Sequence, residues 1–144
     1  MNIDKKRTRI TDFHIVKTIE YKDSPVETVK NLERLHKDKF EFINIPWFRY
    51  EVSGHSLTII SEYIKGRYID LSHMNYLWND VVMHKGDYSF HDYQFSNFIV
   101  DKDNKIWAVD LDDYCKISIS DRDKDWLKIK NEETLRLKEL WNAL

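Results

Sequence analysis

The chain has 144 residues, which suits one domain or two small lobes, and its 42% hydrophobic and 14% aromatic content is enough for a sizeable core. Charged residues make up 33% and balance to a formal net charge of -2, which argues against a nucleic-acid-binding surface as the main function. No apolar run approaches the roughly 18–20 residues that a membrane span needs.

The first residues, MNIDKKRTRITDF, are basic but have no apolar core behind them, so no signal peptide is expected. Residues 7–20 (RTRITDFHIVKTIE) partly alternate and are rich in β-formers, which predicts one strand or a short hairpin carrying Lys17. Ser24-Pro25-Val26-Glu27 has the form of a capping box with Pro at the first helical position. Val26, Val29, Leu32, Leu35 and His36 form one stripe of the helix it opens. Phe48, Tyr50 and Val52 alternate with Arg49 and Glu51. With Leu57-Thr58-Ile59-Ile60-Ser61 and the connector Ser53-Gly54-His55-Ser56 they predict a second hairpin, which runs into Glu62-Tyr63-Ile64-Lys65-Gly66.

Residues 71–84 (LSHMNYLWNDVVMH) predict a helix that packs through Met74, Leu77, Trp78, Val81 and Val82, with Asp70 as its cap and Gly86 beyond its end. The stretch FHDYQFSNFIVDKDNKIWAVDLDDY, Phe90 to Tyr114, follows and organises the rest. Phe98-Ile99-Val100 and Ile106-Trp107-Ala108-Val109 flank the turn-like Asp101-Lys102-Asp103-Asn104, the pattern of a β-hairpin. That hairpin brings Asn97, just before its first strand, beside Asp110, just after its second. Two oxygen-bearing side chains at one hairpin end can share a hard cation such as Mg²⁺. Asp92, on the preceding loop, can then accept a proton or orient a hydroxyl. The same residues also have a plain structural use, since Asp and Asn cap local backbone and open turns.

Cys115 is the only cysteine, which excludes an internal disulfide and agrees with a reducing, cytoplasmic setting. Lys116 to Ser120 can add a strand. Residues 123–144, with Trp126, Ile129, Leu135, Leu137, Leu140 and Trp141, predict a terminal helix interrupted near Asn131. None of the six His pairs at a spacing suited to zinc.

Asp92, Asn97 and Asp110 resemble the catalytic core of the protein-kinase-like superfamily, in which a loop Asp-x-x-x-x-Asn is followed by a hairpin and a metal-binding Asp. Val109-Asp110-Leu111-Asp112 is similar to the Ile-Asp-Phe-Asp or Ile-Asp-Trp form of aminoglycoside and lipopolysaccharide (sugar) kinases. Phe90 stands where the superfamily usually has a scaffold His, and His91 adjoins Asp92. The resemblance implies an α+β, two-lobed kinase-like fold: residues 1–64 form a reduced N-lobe of antiparallel strands and one helix, and residues 65–144 a small helical C-lobe with the catalytic hairpin. It implies ATP and Mg²⁺ as cofactors and a hydroxyl-bearing small molecule or sugar as acceptor. Asn97 and Asp110 would hold the metal, Asp92 the acceptor hydroxyl and Lys17 the phosphates. Glu62, Tyr63 and Ile64 would form the hinge whose backbone meets adenine. On the first helix Glu27 has a use as cap partner, while Glu33, one turn after Val29, is better placed to orient Lys17.

The chain departs from the superfamily twice. No glycine-rich phosphate-covering loop precedes Lys17, and no room follows Asp112 for a large helical substrate lobe, so the form expected is a trimmed one. Two other classes of function stay open: a catalytically silent nucleotide- or protein-binding module, which the missing glycine loop favours, and a structural partner protein that uses exposed aromatic residues as its interface.

Overall fold

A computed structural model describes residues 2–143. The chain opens with a hairpin, β1 (Ile3–Ile10) and β2 (His14–Tyr21), longer than residues 7–20 alone suggest because Ile3, Lys5 and Lys6 also pair across it. Helix α1 (Val26–Lys37) follows. The capping box does not form: Pro25 itself occupies the cap position, and the Ser24 hydroxyl accepts the Val26 N–H at 3.2 Å instead. Leu32 and Leu35 are buried, worth roughly 1.5–3 kcal/mol each. His36 stacks on Phe48 at 3.9 Å, whereas Val26, expected in the stripe, stands in solvent.

The short strand β3 (Ile43–Asn44) precedes a second hairpin, β4 (Phe48–Ser53) and β5 (Ser56–Glu62), where Gly54 supplies the positive φ (59°) of the turn. β1, β2, β5 and β4 form one antiparallel sheet in that order. Beyond β6 (Arg67–Tyr68), residues 71–84 are not one regular helix. A 3₁₀ turn at Leu71–His73 leads into a single α-turn, α2 (Met74–Leu77), and then a π-helical turn at Trp78–Val82, in which the Met83 N–H donates to the Trp78 carbonyl at 3.0 Å. The widened turn lets three consecutive residues, Asp80, Val81 and Val82, all face inward. Asp80 uses its carboxylate to accept the Phe42 and Ile43 N–H groups, both at 2.6 Å, fixing the start of β3. Asp70 caps the 3₁₀ turn as expected, accepting from the Ser72 N–H at 2.9 Å, while His73 Nδ1 accepts from the Asp70 N–H at 3.1 Å.

The hairpin expected around Asp101–Asn104 is β8 (Phe98–Val100) and β9 (Ile106–Ala108), which comes after β7 (Tyr88–Phe90). β8 pairs with β6 on one side and with β9 on the other, and β3 adds to β9 in parallel. Asp101 organises the hairpin turn: it accepts the Asp103 and Lys105 N–H groups on one carboxylate oxygen and the Trp107 indole on the other, and Asn104 takes the left-handed conformation (φ 62°). The strand expected at residues 116–120 lies earlier, as β10 (Tyr114–Lys116) paired with β7, because Ser118 caps the last helix. That helix, α3 (Ile119–Asn142), runs unbroken through Asn131, whose interior cost of a fraction of a kcal/mol is too small to interrupt it. Leu144, the end of the expected helix, lies outside the described residues. Arg122 is fully buried on α3 and donates to the carbonyls of Ile117, His84 and Gly86, tying the helix to the loop that follows the π-turn. Among the described residues no helix is long and apolar enough to cross a membrane. The result is an α+β fold with a reduced antiparallel N-terminal sheet and a C-terminal helix.

Candidate active site

The β8–β9 hairpin sets the geometry. Phe98 pairs with Ala108, and one step further the Val109 N–H donates to the Asn97 carbonyl at 3.0 Å, so the residue before Asp110 is pinned to Asn97. A 3₁₀ turn at Phe95–Asn97 lifts Asn97 out of the loop, and a second one at Leu111–Asp113 follows Asp110. The Asn97 side-chain amide donates to the Asp92 carbonyl at 2.7 Å, which ties the preceding loop to the same end.

Above this end lies β2. Thr8 of β1 stands opposite Lys17, and Ile59 of β5 flanks Lys17 on its other side. Lys17 Nζ lies 2.6 Å from Asp110 Oδ1 and 2.7 Å from Asp112 Oδ1. Burial opposes the charge on Lys17, but the two carboxylates outweigh it and hold its pKa above the ordinary lysine value. Burial likewise works against ionised Asp112, yet Lys17 and Lys6 bring its pKa down to about 2. Asp110 goes the other way, raised by burial and by the charge of Asp112.

Two cavities share Tyr63, Ile64, Gly66 and Arg67 as lining: a rear one of about 750 Å³ and a front one of about 620 Å³. The front cavity brings together five of the expected site residues: Lys17, Tyr63, Ile64, Asn97 and Asp110. Ile10, Ile15, Ile99 and Val109 line it with apolar side chains, and Lys17, Arg67, Asn97 and Asp110 with polar ones. Glu62 lines the rear cavity. The Tyr63 N–H donates to the Phe13 carbonyl at 2.8 Å, and the Ile64 N–H has no acceptor among the described residues.

Asp92 lines a neighbouring cavity of about 300 Å³ against α3, together with His91, Asp125, Lys128 and Glu132. Its N–H donates to Asp113 Oδ2 at 2.6 Å. Burial, and the nearby charge of Asp110, push the Asp113 carboxyl up to about 6 against that hydrogen bond.

Glu33 is not brought to Lys17. It is exposed on α1, where its charge is felt by Tyr50 of β4, and Asp112 fills the position beside the lysine. The cause is local: the 3₁₀ turn buries Leu111 and swings the next carboxylate back over β2. Sequence reasoning named Asp112 in its motif without giving it a role, and passed over Asp113 and Lys6. Strand alternation carried the signal for Lys6, since it stands two residues before Thr8 and so on the same face.

No family model and no curated protein matches the chain. Solved structures do. Monomeric WbdD aligns with a TM-score of 0.59 at 14% identity, over 88% of this chain and 36% of that one. A structure of WbdD with the kinase inhibitor LY294002 aligns at 0.51 and 15% identity, over 78% and 32%. A third structure, described as the bifunctional kinase-methyltransferase WbdD, aligns at 0.52 and 13% identity, over 78% and 30%. The chain thus spans about a third of the length of the WbdD chains it matches. At these identities the likeness concerns the fold alone, which is protein-kinase-like.

Proposed function

We propose that the protein is an ATP- and Mg²⁺-dependent phosphotransferase that acts on a hydroxyl of a small molecule or sugar. One observation carries this reading: a single cavity of about 620 Å³ is lined by Tyr63 and Ile64, by the apolar Ile10, Ile15, Ile99 and Val109, and by Lys17, Asn97 and Asp110. Adenine fits against the apolar side chains, with the Ile64 N–H as a donor, and phosphates fit against Lys17. The cleft lies between a lobe of residues 1–64 and a lobe of residues 65–144.

The donor set suits magnesium. Lys17 occupies Asp110 Oδ1, which leaves Oδ2 without a donor among the described residues. The Asn97 amide nitrogen is spent on Asp92, so its oxygen is the free end. Among the described residues no three His, Cys, Asp or Glu side chains gather into a cage. One carboxylate and one amide oxygen match an ion that draws its other ligands from water and substrate phosphates. Bound there, the ion would neutralise charge on the transferring phosphoryl group. Lys17 holds the phosphates in register. Asp92 takes the acceptor's hydroxyl proton as the new oxygen–phosphorus bond forms and the bond to the leaving nucleoside diphosphate breaks.

The second reading is a silent nucleotide-binding module. It is favoured by the Lys17–Asp110 pair itself, because each group neutralises the other at 2.6 Å and must be parted for the kinase roles. A thermal-shift titration separates these readings from a protein that binds no nucleotide, since a ligand of the folded state raises apparent stability. ATP with Mg²⁺ is expected to raise Tm more than ATP with chelator. No shift at millimolar ATP in either arm overturns both nucleotide readings.

A further inference from the structure

β1 carries four basic residues, Lys5, Lys6, Arg7 and Arg9. Its register against β2 pairs Lys6 with Ile19, Thr8 with Lys17 and Ile10 with Ile15. Residues directly opposite on paired strands share a face, and successive residues alternate between faces. Thr8, Ile10, Ile15 and Lys17 all line the front cavity. Lys6 is therefore the one basic residue of β1 on the cavity face, while Lys5, Arg7 and Arg9 point the other way.

Lys6 Nζ lies 2.7 Å from Asp112 Oδ2, and Lys17 Nζ lies 2.7 Å from Asp112 Oδ1. Two ammonium groups thus bracket one carboxylate. The Asp112 side chain is 8% exposed and that of Lys17 15%, but the Lys6 side chain is 40% exposed and enters from the solvent edge. Lys17 is shared between Asp110 and Asp112, so Lys6 is the second cation of a two-lysine, two-aspartate cluster, and as the more exposed of the two lysines it is the one free to turn to a ligand at the solvent edge.

The rest of the hairpin shows where that charge is needed. The β1–β2 turn lies at the hinge, held by the Tyr63 N–H on the Phe13 carbonyl, far along the strand from Asp112. Neither strand contains a glycine, and the β1 backbone is occupied by its ladder with β2. This hairpin therefore offers no cradle of free N–H groups beside Lys17. We propose that Lys6 is a second phosphate-binding lysine: it leaves Asp112 and takes the terminal phosphate of a bound nucleoside triphosphate, supplying from a side chain the positive charge that a phosphate-covering loop supplies from backbone. This rests on the cavity being a nucleotide site, as proposed above.

Isothermal titration of Mg·ATP, Mg·ADP and adenosine into wild type, Lys6→Ala, Lys6→Met and Lys6→Arg tests it. Lys6→Ala and Lys6→Met are expected to lose about tenfold or more in ATP affinity, less in ADP affinity and none in adenosine affinity, on the scale of a hydrogen bond to a charged group. Lys6→Arg is expected to recover most of the loss. ATP binding unchanged in Lys6→Ala, or an equal loss for adenosine, overturns the proposal and leaves Lys6 as a partner of Asp112 alone. Wild-type protein that binds none of the three overturns the nucleotide site itself. The intact chain gives an independent reading: ATP, but not adenosine, is expected to protect Lys6 from an amine-reactive label, and equal labelling in both overturns the assignment even if the variants fail to fold.

Discussion

The side-chain amide of Asn97 donates to the backbone carbonyl of Asp92 at 2.7 Å. One bond thereby fixes both the loop that carries Asp92 and the direction of the Asn97 amide oxygen. Asn97→Asp replaces the donor with an acceptor aimed at a carbonyl. It is expected to destabilise the fold by about 1–3 kcal/mol, the scale of an unmade bond at a part-buried site, and to weaken Mg²⁺-dependent ATP binding as well. Urea unfolding and calorimetric titration read the two effects separately. Unchanged stability would mean that the bond does not hold the loop.

The two carboxylates beside Asp110 titrate in opposite directions, and the signs give a pH profile. Asp112 has its folded pKa lowered to about 2, so its contribution is present above its ordinary range near 4 and is lost as pH falls toward 2. Asp113 has its folded pKa raised to about 6. Its protonated form is favoured in the folded state, so its contribution is full below about 4 and is lost as pH rises through 6. Asp113→Asn keeps an acceptor for the Asp92 N–H and removes the titration. Between pH 4 and 7 the wild type is expected to lose on the order of 2–3 kcal/mol relative to this variant, from a shift of about two pKa units. Denaturant midpoints across that range check it, and parallel curves for the two proteins would contradict the assignment.

Sequence reading found the elements whose signals are local. The Asp101–Asn104 turn between two apolar runs, the Gly54 turn and the cap at Asp70 all form where the residues placed them. The hairpin expected between Asn97 and Asp110 also forms, and it pins Val109 to the Asn97 carbonyl. It failed where a tertiary partner decides. Glu33 looked inward on helical periodicity, but Asp112 reaches Lys17 first, through a 3₁₀ turn that no periodicity encodes. Residues 71–84 looked like one amphipathic helix, but Asp80 must reach the β3 backbone, and the π-turn that lets it do so breaks the regular period. Lys6 was hidden because one lysine among four basic residues shows its side only once the register is known.

Gly66 closes the hinge segment against β8. A Cβ at this position would stand 2.2 Å from the Val100 carbonyl oxygen and 2.7 Å from the Ile99 side chain. The first of these is backbone and cannot step aside, so the hinge must move instead. Gly66→Ala is expected to cost about 1–3 kcal/mol, the scale of overpacking, and to weaken ATP binding by displacing Ile64. Thermal unfolding with and without ATP measures both. Gly54→Ala, which meets nothing within 4 Å but carries the positive φ, is expected to destabilise the protein without altering ATP affinity.

The hinge assignment has its own test, because Tyr63 and Ile64 use their N–H groups differently. The Tyr63 N–H is spent on the Phe13 carbonyl, and the Ile64 N–H is free for a ligand. Ile64→Pro removes that donor and is expected to reduce adenosine affinity about tenfold, whereas Tyr63→Ala keeps its backbone bond and is expected to reduce it only slightly. Equal wild-type affinities for both variants in calorimetric titration would remove the hinge from the nucleotide site.

The last prediction separates a phosphotransferase from a silent binder. Asp92 and Asp110 stand on the two sides of Asn97 but line different cavities, the first against α3 and the second beneath Lys17. Their roles should therefore come apart on substitution. Asp92→Asn is expected to lower phosphoryl transfer by roughly 10²-fold or more, the scale of a positioned proton acceptor, while leaving Mg·ATP affinity nearly unchanged. Asp110→Asn removes the carboxylate that both Lys17 and the metal would use, so it is expected to lower Mg²⁺-dependent binding and turnover together. ATP consumption measured against sugars, aminoglycosides and proteins, beside calorimetric binding, gives both quantities for each variant. If Asp92→Asn weakens Mg·ATP binding as much as Asp110→Asn does, Asp92 belongs to the nucleotide side of the site and its assignment to the acceptor fails. If wild-type protein binds Mg·ATP and Asp110→Asn binds it equally well, the cavity holds nucleotide without using its metal-side carboxylate, and the silent module becomes the better reading.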